Sequence, residues 1–109
     1  MSQLTTHILD TTIGKPAKGV LITLYNQENE LIAKGITNDD GRIADLLKQD
    51  EILPTGTYKL IFETASYFAV QKIKTFYPRV TIEFEITDRS HYHVPLLLNP
   101  YGYSTYRGS

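Results

Sequence analysis

Cysteine is absent from the 109 residues. That excludes a disulfide framework, a thiol nucleophile and a thiolate metal site, and it suits a reducing compartment. Neither sign of charge dominates: 11 Lys and Arg against 12 Asp and Glu leave a net charge of −1. Both signs are scattered and no basic block stands out, so the expected partners include neither nucleic acid nor an anionic membrane. No apolar run approaches the roughly 18 residues that span a bilayer. The start, Met1-Ser2-Gln3-Leu4-Thr5-Thr6-His7, lacks the charged-then-apolar order of a secretory leader. A cytoplasmic location is therefore expected, a periplasmic one fitting a processed form. Internal repeats, low-complexity stretches, a Gly-x-Ser-x-Gly elbow and a phosphate-cradling glycine loop are also missing.

What is present is one domain, residues 1–109, built from short alternating runs. Leu4–Leu9 reads as a strand, and Asp10–Ala17 as a loop punctuated by Gly14 and Pro16. Strands follow at 20–25 and 31–37, separated by the polar break Asn26-Gln27-Glu28-Asn29. Asn38-Asp39-Asp40-Gly41 forms a turn that ends at Arg42, since Asn and Asp bond their own backbone and Gly supplies positive φ. After a turn at Leu53-Pro54-Thr55-Gly56, a strand covers 58–63. Ala65–Ile73 contains neither Gly nor Pro and is the best helix candidate, short enough to need packing.

Val80, Ile82, Phe84 and Ile86 alternate with Thr81, Glu83 and Glu85, the pattern of a half-buried strand. Tyr92–Leu98 is apolar on both faces, and Pro95 within it predicts an edge or a bulge. Asn99-Pro100-Tyr101-Gly102 suits a type I turn leading into a last strand, Tyr103–Arg107. The fold class is all-β: a seven- to eight-stranded sandwich with one short helix.

Three histidines carry the chemistry that titrates near neutral pH: His7, His91 and His93. His91 and His93 are two apart on a strand, so they share a side. With His7 they could form a three-histidine zinc site with an open position for water. The competing reading is a coincidental pair at a strand end, after the polar Thr87-Asp88-Arg89-Ser90. A second constellation joins His7, Arg42, His93 and the chain end. Two neutral histidines can orient a water and move its proton. A guanidinium can hold a planar anion through two parallel hydrogen bonds. Taken singly, each of these residues reads more readily as a satisfied surface histidine or a solvated arginine.

Two signatures resemble one family, the transthyretin-like 5-hydroxyisourate hydrolases. One is the run from Leu4-Thr5-Thr6-His7 through Gly14-Lys15-Pro16-Ala17. The other is Tyr92-His93-Val94-Pro95-Leu96-Leu97-Leu98 with the terminus Tyr106-Arg107-Gly108-Ser109. Between them, Asp40-Gly41-Arg42, Leu53–Tyr58 and Tyr77-Pro78-Arg79-Val80 also fit. The resemblance implies a transthyretin-like (prealbumin-like) sandwich assembled as a homotetramer of two dimers, with active sites in the channel between them. It implies hydrolytic ring opening of 5-hydroxyisourate in urate catabolism, with no metal and no cofactor. Carried over by position, the catalytic set is His7, Arg42, His93 and Ser109. By the same resemblance, Arg42, Tyr106 and Arg107 are expected to contact substrate. The alternative is a transthyretin-type carrier of an aromatic small molecule, with Tyr92, Tyr101, Tyr103 and Tyr106 lining the same channel.

Overall fold

The computed structural model describes residues 2–109. Eight strands and one helix follow in order: β1 (Leu4–Asp10), β2 (Lys15–Pro16), β3 (Leu21–Asn26), β4 (Leu31–Ile36), β5 (Gly56–Phe62), α1 (Thr64–Val70), β6 (Val80–Ile86), β7 (Tyr92–Asn99) and β8 (Gly102–Thr105). They form two four-stranded sheets, ordered β2-β1-β7-β8 and β4-β3-β5-β6. Strand alternation sends one residue set of each sheet inward. Leu4, Ile8, Ile22, Leu24, Leu60, Phe62 and Leu96 are fully buried between the sheets. Each such side chain contributes about 1.5–3 kcal/mol of burial. Residues 43–55 hold no regular element, yet Leu46, Leu47 and Leu53 are buried and complete the core.

The expected strands at 20–25, 31–37, 58–63, 80–86 and 92–98 all form, within two residues at each end. Three expectations are corrected. The loop over 10–17 contains β2, whose Lys15 and Pro16 pair with Asp10 and Leu9. Two exposed residues carry no alternation from which a strand could be read. The helix ends at Val70, not Ile73. Lys72 takes φ 60, and the amides of Gln71 and Ile73 both close back on the Phe68 carbonyl. Pro95 lies not on an edge but on β7, between β1 and β8.

The position of Pro95 has a local reason. β8 pairs with β7 from Asn99↔Gly102 to Leu96↔Thr105, and regular pairing stops there. The same register carried onward puts Tyr106 opposite Pro95 and Gly108 opposite His93, where a bridge does form. Pro95 has no amide to donate to Tyr106. Its carbonyl accepts instead from Thr105 Oγ1 at 2.8 Å. The ladder skips the proline and resumes with Gly108 N donating to His93 O at 2.8 Å.

Candidate active site

The site is built on the outward face of the β1–β7 pair. These strands run parallel, with Thr5 opposite His93, His7 opposite Pro95 and Leu9 opposite Leu97. Since Thr6, Ile8, Val94 and Leu96 point into the core, Thr5, His7, Leu9, His93 and Leu97 share the other side. His7 and His93 thus stand on neighbouring strands of one face, although 86 positions separate them in the chain.

The Asn38–Arg42 turn brings Arg42 to this face. Asn38 Oδ1 accepts from the amides of Asp40 at 2.9 Å and Arg42 at 3.2 Å, while Asn38 N donates to Arg42 O. Gly41 takes φ +71 and approaches β1 so closely that a Cβ there would sit 2.5 Å from the Ile8 carbonyl. Its own carbonyl accepts from Ile8 N at 2.9 Å, and Arg42 bridges to His7. Among the described residues the ion pairs are Lys18–Asp39 and Arg79–Glu63. Arg42 is in neither and is exposed, so its guanidinium is available to an anion.

Burial and a nearby cation both disfavour the protonated form of the two histidines. Burial, and then the nearby Arg42 charge, push the His7 ring below its usual 6.5, against a smaller opposite pull from Asp40. Burial and Arg42 likewise lower His93, with His91 and His7 adding to the shift. Two neutral imidazoles beside one guanidinium can hold a water, accept its proton and offset negative charge on a nearby oxygen.

The chain end closes the third side. Gly108 lies against His93 so tightly that a Cβ would stand 2.6 Å from its Cδ2. Ser109 follows and is exposed. Arg107 turns to the other face: its guanidinium lies 4.2 Å above the Tyr92 ring and donates to His91 O and Ser90 Oγ. With Tyr106 it borders a cleft of about 270 Å³ between β6 and β8 that contains none of His7, Arg42 or His93. The structure therefore brings together His7, Arg42, His93 and the Gly108-Ser109 end, and sets the Arg107 guanidinium apart.

His91 does stack beside His93, with ring centroids 6.5 Å apart. Its two nitrogens face Ser2 O at 2.9 Å and Thr5 Oγ1 at 3.1 Å. Among the described residues no three His, Asp or Glu side chains are grouped to hold a metal. The sequence suggests no site role for Thr5, for Gly41 beyond its turn, or for Gly108 beyond its place in the terminal signature. The parallel β1–β7 register is the signal for Thr5, and the glycine inside the distinctive terminus is the signal for Gly108.

The family model described as HIUase/Transthyretin matches residues 4–108. The chain belongs to the HIUase/transthyretin family. It is 49% identical to 5-hydroxyisourate hydrolase 2 of Rhizobium meliloti, covering 98% of this chain and 96% of that one. Its fold superposes on the 5-hydroxyisourate hydrolase of Klebsiella pneumoniae with TM-score 0.89 at 43% identity, over 100% and 94% of the two chains. Sea bream transthyretin, solved in complex with thyroxine, also gives TM-score 0.89, at 28% identity over 97% and 94%. Hydrolases and a transthyretin solved with thyroxine thus share this sandwich, so the fold by itself does not decide between them.

Proposed function

We propose that this protein hydrolyses 5-hydroxyisourate to 2-oxo-4-hydroxy-4-carboxy-5-ureidoimidazoline. The observation that carries the reading is that His7 and His93 stand on neighbouring strands of one sheet face, with Arg42 bridged to His7. Full-length relatives named as hydrolases of this substrate support it. Arg42 anchors the planar, anionic ring. One histidine takes a proton from water as the oxygen attacks a ring carbonyl carbon. The ring C–N bond then breaks, and the departing nitrogen receives a proton from an imidazolium. Arg42 offsets the charge that develops on the carbonyl oxygen. Ser109, next to the Gly108 that packs on His93, contributes a hydroxyl at the mouth of the site, whereas Tyr106 and Arg107 border the separate cleft beside β6.

The face is partly open in the single chain, with the half-buried Leu9 and Leu97 on the same side as the histidines. A second copy laid across it would exclude water and complete the pocket. The working assembly is accordingly an oligomer, a homotetramer of two dimers with the sites in the channel between them. Among the described residues no helix is long and apolar enough to cross a membrane.

Freshly prepared 5-hydroxyisourate tests the reading. Its absorbance should disappear faster with catalytic amounts of protein, whereas a carrier would leave the spontaneous rate unchanged and bind in stoichiometric amounts. The pH profile tests the histidines. Protonation fills the lone pair a base needs, so kcat/KM should hold through neutral pH and fall below about pH 6.5. The unfolded chain takes up protons near 6.5 while the fold resists, so stability should decline over the same acid window. A flat rate from pH 8 to 4.5 would remove both histidines from the mechanism.

A further inference from the structure

A run of hydrogen bonds on the same face has no part in the mechanism above. It begins at the Ser2 carbonyl, 2.9 Å from His91 Nδ1. A carbonyl only accepts, so Nδ1 of His91 carries a proton. In the neutral ring, Nε2 is then an acceptor. It lies 3.1 Å from Thr5 Oγ1, and the Thr5 hydroxyl donates to it. A hydroxyl has one proton to give. Toward His93, whose Nδ1 is 2.8 Å away, Thr5 Oγ1 can therefore only accept. Nδ1 of His93 carries the proton, and its Nε2 is left with a free lone pair.

We propose that His91 and Thr5 are positioning residues that hold His93 in the Nδ1–H tautomer, so that Nε2 of His93 accepts the proton of the attacking water. The direction of the whole relay is set by one backbone carbonyl. Nothing in it requires a charged group, which distinguishes it from relays that end in a carboxylate. The β1–β7 register supplies its geometry: pairing Thr5 with His93 lays the hydroxyl beside both rings. The His91 and His93 rings are nearly parallel, at 13° with centroids 6.5 Å apart, and each turns a nitrogen to the same hydroxyl.

The kinetic part of this proposal rests on the hydrolase reading, while the tautomer does not. Ring ¹⁵N–¹H correlation spectra of the full-length protein at pH 8 read the tautomer directly, with His91→Asn and His93→Asn assigning the signals. The wild-type His93 should show a protonated Nδ1 and an unprotonated Nε2. Thr5→Val keeps the shape but removes the hydroxyl, so His93 should shift toward the Nε2–H form. kcat for 5-hydroxyisourate should fall about ten- to hundredfold with KM little changed. Thr5→Ser should recover most of that loss. A wild-type His93 protonated on Nε2 overturns the proposal without any variant. So does a Thr5→Val protein with full kcat and an unchanged His93 spectrum. An Nδ1–H His93 in a protein with no turnover would support the relay and overturn the hydrolase reading instead.

Discussion

The outward faces of the two sheets use polar residues differently. On β6, Thr81, Glu83 and Glu85 stand exposed to water. On β1 and β7, Thr5, His7, Leu9, His93 and Leu97 occupy the equivalent outward positions but are half-buried. The distinction is cover. The Asn38–Arg42 turn crosses β1 at His7, and the chain end crosses β7 at His93. Each brings backbone within contact of an imidazole, excludes water from it and, at His7, adds a cation beside it. A strand's alternation places side chains on a face, but segments laid over that face decide whether they react.

The sharpest break in this comparison is to remove the imidazoles while keeping the cover. His93→Asn and His7→Asn retain a polar side chain at half-buried positions, so the fold should persist. Turnover of 5-hydroxyisourate should fall by about 10²–10⁴, the usual contribution of a positioned acid or base. Steady-state kinetics beside a thermal melt would check both halves. Near-wild-type kcat in either variant would mean that its imidazole serves the fold or the interface and not the reaction.

The next effect comes from disturbing the cover while keeping the imidazoles. In Gly108→Ala the new methyl would stand 2.6 Å from His93 Cδ2 and 3.4 Å from Pro95 Cδ. Either the ring rotates away or the terminal bridge opens. Misplacing a reacting group by about an ångström costs roughly a hundredfold in rate. The expected loss in kcat is therefore about ten- to hundredfold, with little change in melting temperature, because Gly108 lies outside the regular strands and the core. Activity equal to wild type would show that the Gly108 bridge does not set the His93 orientation.

The parts of this arrangement differ in how far they can be read from residue order. β6 is legible because its two faces differ in polarity, and the β7–β8 hairpin because Asn99, Pro100 and Gly102 match the demands of its turn. β2 is not, having two exposed residues and no period. Pro95 misleads when weighed alone, since its tolerance depends on what lies opposite. The ladder defect faces Tyr106, where β8 has already ended. For the site, His7, Arg42 and His93 sit in three separate stretches; residue chemistry offers them as one constellation among others, and the family resemblance selects it. The role of Thr5 depends on the parallel β1–β7 register, and those of Gly41 and Gly108 on contacts a missing Cβ permits. Those are distances between remote segments, which no local pattern records.

The smallest expected effect is on the uncovered face, and it completes the comparison. Glu83 is paired across the sheet with Lys59, an arrangement that contributes about 0.2–1 kcal/mol where the two charges meet. Here the Lys59 ammonium donates to Asn29 Oδ1 instead. Glu83→Gln therefore removes a solvated charge whose opposite neighbour is already engaged. Stability should change by less than about 0.5 kcal/mol, as for surface substitutions away from special features. kcat/KM for 5-hydroxyisourate should match wild type at every pH. Because the exchange at Glu83 and those at the histidines both replace an ionisable group by an uncharged amide, the contrast isolates cover as the cause. A large loss of activity at Glu83 would show instead that the β6 face is itself covered in the working assembly, and that exposure in one chain misjudges it.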